Sequence, residues 1–199
     1  MRLFLIPASL LLAAPAWAAP LVPLAPPVGA AFFYGSAGPR VVPDDHPLRG
    51  RIAVEPVAAM PKRVGSLLIP VTKPAEFDSA MKLALEQSKM LAAAGADPKA
   101  RLHVTWRWLD APAKIGNRAH ASVVLAYELR RIDTGQTLFQ REVRTESHAT
   151  GGVASERIRH NARMAIQHNI ASAVACLDQA AYGRAPADCA GWMRDLRKD

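Results

Sequence analysis

One stretch limits the possible folds more than any other. The run Arg118–His148 holds two alternating segments around the four residues Asp133–Gln136, "DTGQ". Glycine at the third turn position supplies the positive φ that a tight reversal needs. Before the turn, Ala121, Val123, Leu125, Tyr127 and Leu129 share one face, with His120, Ser122, Glu128 and Arg130 opposite. After it, Phe139 and Val143 return on the apolar side. A period of two with one apolar and one charged face predicts an antiparallel hairpin covered on one side only.

A third strand precedes it. In "RLHVTWRWLD", Leu102, Val104, Trp106 and Trp108 fall on one face by strict alternation, and His103, Thr105 and Arg107 on the other. Upstream, "RIAVEPVAAM" from Arg51 predicts an opening strand, and Val64–Val71 is a second short apolar run.

Two segments carry helical spacing instead. Phe77, Ala80, Met81, Ala84, Ser88 and Leu91 recur at three- and four-residue steps. Thr72 is the expected cap, Pro74 suits the first turn, and Gly95 and Pro98 are the expected stop. A closing helix is expected from Ser155, its N-cap, to Asp178, with Ile158, Ala162, Ala165, Ile166, Ala173, Val174 and Leu177 as its apolar stripe. The order β-α-β-β-β-α predicts an α+β, two-layer domain. It has an antiparallel sheet of about four strands and two helices packed on one face.

The flanks read differently. Arg2, the apolar run from Leu3 and the small residues of "AWA" match an export leader over 1–18, cut near Ala18. Residues 19–50 hold seven prolines and predict an extended arm, with Phe32, Phe33 and Tyr34 as an aromatic patch. The domain is then 51–180 and a tail follows over 181–199. No later segment is long and apolar enough to span a bilayer. The mature chain is therefore expected in the periplasm. There Cys176 and Cys189 can pair and staple the tail, worth about 3 kcal/mol in the chain-entropy model. The full sequence carries a net charge of +8, and losing Arg2 with the leader leaves 8 − 1 = +7, which in that compartment points to anionic lipid or an acidic protein face, not nucleic acid.

Few residues suggest chemistry. Arg107, Arg130, Arg141 and Arg144 either form an anion-binding face or pair with Glu128, Glu142 and Glu146 across strands; Arg157, Arg159 and Arg163 on the closing helix would extend such a patch. Trp106 and Trp108 either belong to the core or floor an apolar ligand site between sheet and helices. His160, Met164 and His168 carry soft-metal donors on one helical line, opposite the apolar stripe and facing solvent. Three donors on an open helix lack an enclosing shell, so no metal and no cofactor is expected. Asp44, Asp45 and His46 lie in the arm, where geometry cannot be held. "GSAG" at 35–38 lacks the spacing of a nucleophile elbow. No catalytic residue is identified, and a hexapeptide repeat is absent.

The stretches "IPVTKPAEFDSAMKLALEQSKMLA", "ASVVLAYELRRIDTGQTLFQREVRT" and "RIRHNARMAIQHNIASAVACLD" resemble small envelope proteins of Gram-negative bacteria. In style they are similar to the auxiliary lipoproteins of ABC-type lipid transport systems, over about Ile69 to Asp178. These are fold motifs, so the resemblance carries over no active-site residue. The acylated cysteine of the lipoproteins is missing. The resemblance implies a non-enzymatic periplasmic accessory protein in envelope assembly or lipid transport. The alternatives are a binder of an anionic lipid or amphiphile, and an envelope enzyme, since members of the group sometimes carry a UDP-N-acetylglucosamine acyltransferase label.

Overall fold

The computed structural model describes residues 41–65, 69–112, 118–151 and 153–183. Residues 1–18, expected to be a leader, most of the Pro-rich stretch with its three aromatics, and nearly all of the stretch after 180 lie outside these residues. The elements are β1 (Ile52–Val54), β2 (Val64–Gly65), β3 (Pro70–Thr72), α1 (Pro74–Gln87), β4 (Ala100–Asp110), β5 (Arg118–Arg131), β6 (Thr137–Thr150) and α2 (Ala154–Ala180). The expected α+β architecture is present. Four strands in the order β1-β4-β5-β6 make the main sheet, and both helices lie on one side of it.

The sheet is mixed rather than wholly antiparallel. β1 runs parallel to β4, with Ile52 opposite Ala100. A parallel neighbour needs a long crossover, and α1 supplies it between the two strands. The apolar run at 64–71 does not join this sheet. It forms a separate two-stranded antiparallel pair, β2 with β3.

The β5–β6 hairpin forms as the alternation predicts. Gly135 has φ 69° in the turn. Arg131 grips Asp133 through two hydrogen bonds of 3.0 and 2.6 Å, which hold that carboxyl down at about 2.

α1 departs from expectation at both ends. Lys73, not Thr72, is the N-cap residue. Glu76 reaches back to accept from the Lys73 N–H and the Thr72 hydroxyl, both at 3.2 Å. The helix stops at Gln87, well before Gly95. Lys89 takes φ 62°, the Met90 N–H bonds Leu85 O at 2.9 Å, and the Lys89 N–H bonds Glu86 O at 2.9 Å. This is a Schellman closure with lysine where glycine is usual. It turns Met90 into the core, where it is fully buried beside Phe77, Met81 and Leu85.

α2 begins with Val153 as its N-cap, so Ser155 lies inside the helix. It rests on β5 and β6 and also meets β3 and α1. Its small residues, Ala162, Ala165 and Ala173, are fully buried and let the helix approach the sheet closely. Polar side chains then fasten it. Asn169 Nδ2 donates to Val143 O at 2.7 Å and to Thr145 Oγ1 at 3.1 Å, and the Tyr127 hydroxyl donates to Asn169 Oδ1 at 2.8 Å. Asn161 Nδ2 donates to Ser147 O at 3.0 Å, and Thr145 Oγ1 to Ala165 O at 2.7 Å. A buried polar group without such a partner would cost about 1–3 kcal/mol.

The packed body starts earlier than Arg51. Val42, His46 and Leu48, at the end of the Pro-rich arm, are buried. The His46 imidazole accepts the Leu48 N–H on Nδ1 and places Nε2 3.1 Å from Asp178 Oδ1. That approach is a close polar contact, not an aligned hydrogen bond, and it ties the arm to the end of α2.

Candidate functional site

The helix-free face of the sheet gathers most of the residues singled out above, but one extra residue rearranges them. β4 pairs Trp106 with Leu125 and then Trp108 with Val124, so Arg107 is bulged out. A bulge shifts the alternation by one. The two indoles are thereby sent to opposite faces, which corrects the expectation that they share one. Trp106 is 5% exposed and packs edge-on against Phe77 with ring centroids 6.1 Å apart. It is core, and no indole pair floors a hollow under the helices. Trp108 is 40% exposed on the open face, with the Arg144 guanidinium 5.5 Å from its ring centre.

The arginines do not form one free cationic patch. Arg107 bonds Glu142 at 3.0 Å across β5, Arg130 bonds Glu128 at 2.7 Å, and Arg144 lies 3.3 Å from Glu146. Three of the four are thus paired on the sheet, but only Arg107 does so across strands; Arg130 and Arg144 each pair with the glutamate two residues away on their own strand. Arg141 sits opposite Tyr127, in phase with the core-facing Phe139 and Val143, and emerges exposed on the other side. The helix arginines do not extend the patch either. Arg157 and Arg163 are 7% and 3% exposed. Arg157 donates to Gly151 O, and Arg163 donates to Val71 O at 2.7 Å. Burial pushes the Arg163 guanidinium below its ordinary value, with Glu76 opposing that shift from 3.8 Å.

At the Trp108 end of the same face the hairpin register creates a cluster. His120 on β5 stands directly opposite His148 on β6, their rings 4.7 Å apart and tilted by 36°. Glu146, two residues back along β6, shares the face. Donor atoms of His120, Glu146 and His148 all lie within 4.8 Å of one another. His120 and Glu146 are half-buried and His148 is exposed. The individual residues are plain in the sequence. Their meeting is not, because it depends on the register. Pairing back from the "DTGQ" turn with the one-residue slip near Arg130 brings His120 to His148.

The opposite end of the face holds a shallow groove of about 540 Å³ lined by Glu55, Arg101, His103, Glu128, Arg130 and Arg131. His103 Nδ1 is 3.1 Å from Glu55 Oε2, and Arg101 is 3.7 Å from the other oxygen. Charges here are again matched in pairs.

The helical line His160, Met164 and His168 does not stand in solvent as a unit. Only His160 is exposed; Met164 and His168 are half-buried, since neighbours meet α2 on more than one side. Burial pushes the His168 imidazole below its ordinary value, and a hydrogen bond to the Glu146 backbone opposes the shift. Asp44 pairs with Arg49 at 2.7 Å while His46 turns inward, so the acidic stretch of the arm is split. Cys176 is fully buried on α2, and Cys189 lies outside the described residues, as does "GSAG".

No family model matches the sequence, and no curated protein matches it either. Solved structures do share its fold. A Xanthomonas campestris protein of the DUF330 family superposes with a TM-score of 0.53 at 13% identity, covering 72% of this chain and 94% of that one. A hypothetical protein of Chlamydia trachomatis gives 0.50 at 13% identity, covering 68% of this chain and 99% of that one. The domain therefore shares the fold of these two bacterial proteins.

Proposed function

We propose that this chain is a non-enzymatic accessory protein of the bacterial cell envelope. It is exported, cleaved near Ala18, and binds a protein partner through the exposed face of β4, β5 and β6. Its setting is envelope assembly or lipid transport. The observation that carries this reading is Trp108. A large aromatic side chain stands 40% exposed on a rigid strand, under an arginine, on the one sheet face left open by the helices. Tryptophan and arginine are the residues that most often anchor protein interfaces. The buried ionisable groups support the same view. His46, Asp178, Arg157 and Arg163 are engaged in ties between elements and do not ring a polar hollow. Among the described residues no helix is long and apolar enough to cross a membrane.

An anionic lipid is the competing ligand, and the pairing of Arg107, Arg130 and Arg144 with carboxylates speaks against it as the main one. The deciding experiment places a photocrosslinking amino acid at position 108 or, as a control, at exposed Lys82 of α1, in cells producing the full chain. A discrete protein adduct at 108 and none at 82 is expected. Binding of the purified protein to anionic vesicles, lost on Trp108→Ala and without any protein adduct, would replace this reading with the lipid one.

A further inference from the structure

The chain binds more than a partner surface: we propose that His120, Glu146 and His148 form a site for a divalent first-row transition metal, with Zn²⁺ as its reference ion. Two imidazoles and one carboxylate are a donor set that suits zinc, copper, nickel or iron, and discriminates against magnesium and calcium, which favour oxygen alone. The backbone fixes the arrangement. His120 and His148 are cross-strand partners, and Glu146 follows the two-residue period of the same face. All three ligands therefore stand on paired strands, where no loop must be ordered before an ion enters.

The distances suit the task. Donors held about 2.0–2.2 Å from one zinc ion lie roughly 3.4 Å apart. The donor atoms already lie within 4.8 Å of one another, little more than that spacing. The His120 Nδ1 atom is buried and has no hydrogen-bond partner among the described residues. The rings of the two histidines, 4.7 Å apart, gain no hydrogen bond from each other, whereas a cation between them would satisfy both.

Arg144 opposes the ion with its charge but also positions a ligand. It lies 3.3 Å from Glu146 Oε1. Outer partners of this type orient metal ligands. It can also withdraw over Trp108, whose ring it already approaches. Asp110, which pairs with Ser122 on the rung that Ser122 shares with Glu146, adds a carboxylate to the neighbourhood. Three protein donors leave at least one coordination position open on the exposed face. The site is therefore suited to accept a further ligand from solvent or a docked partner.

The test uses full-length mature protein, stripped with a chelator and titrated with zinc sulfate by calorimetry, with Mg²⁺ as a control. The expected result is one Zn²⁺ per chain in the micromolar range and no heat with Mg²⁺. His148→Ala, His120→Ala and the isosteric Glu146→Gln should each weaken binding by at least about tenfold. His160→Ala should leave it unchanged. Co²⁺ should give visible d–d bands with the parent protein that vanish in His120→Ala. His148 is exposed, so its variant should melt with the metal-free parent and any loss of binding is not a loss of fold. Undiminished zinc binding by a His120→Ala/His148→Ala double variant, or no binding at about 100 µM zinc, overturns the proposal. Neither outcome touches the crosslinking result at position 108.

Discussion

Asn169 gives the sharpest test of how α2 is held to the sheet. It is fully buried and serves four partners at once: Tyr127, Val143, Thr145 and, at 3.5 Å, the Val123 carbonyl. Asn169→Leu keeps the volume close and removes every one of these bonds. Thr145 still donates to Ala165 O, so it is not stranded. The Tyr127 hydroxyl loses its acceptor and Val143 O loses a 2.7 Å donor. Two stranded groups at about 1–3 kcal/mol each predict a loss of roughly 2–6 kcal/mol. That is a large share of the 5–15 kcal/mol typical of a domain. Tyr127→Phe alone should cost less, about 1–2 kcal/mol, because it strands only Asn169 Oδ1. The double variant should be less unstable than the sum, with a coupling of about 1 kcal/mol or more. Urea unfolding followed by circular dichroism measures all four corners of the cycle. A loss below 0.5 kcal/mol for Asn169→Leu, or zero coupling with Tyr127, would show that shape alone seats the helix.

Four further outcomes are expected. Trp106→Ala should cost about 3–5 kcal/mol in urea unfolding, whereas Trp108→Ala should fall within about 0.5 kcal/mol of the parent; equal losses would contradict the bulge. The His168 imidazole is held below its ordinary value of about 6.5, so the unfolded chain takes up the proton first as pH falls. Its contribution is therefore present above that pH and fades below it. Melting the metal-free protein from pH 7.5 to 5 should show a shallower acid-side decline for His168→Gln. Lys89→Gly should raise stability by about 1 kcal/mol by relieving its positive φ, read as a higher melting temperature. Alkylation under denaturing, non-reducing conditions should label neither Cys176 nor Cys189 in protein purified from the periplasm, and both after reduction.

The parts legible in sequence were those set by local period. The hairpin, the faces of β5 and the stripe of α2 follow from alternation and helical spacing, and each matches the burial found. What escaped depends on distant or irregular geometry. The parallel placement of β1 requires knowing that α1 crosses over. The early stop of α1 rests on a lysine in a conformation that favours glycine. Arg163 reads as part of a cationic face, yet it points at a strand carbonyl, as do Asn161 and Asn169, because the helix is enclosed on several sides. The histidine pair needed the register, and the tryptophan pair needed the bulge.

That bulge leaves β4 with a reversal of parity in its middle. Up to Arg107, the even-numbered side chains Leu102, Val104 and Trp106 are the inward ones; after it, the odd-numbered Leu109 takes that role. Removing Arg107 by deletion would erase the bulge and restore a single phase, leaving Trp108 opposite Val124 on the open face and Leu109 opposite Val123 on the inward one. A substitution scan of the strand should accordingly show tolerance that flips sides at one position, and a β4 shorter by Arg107 alone should still place each later side chain on its present side.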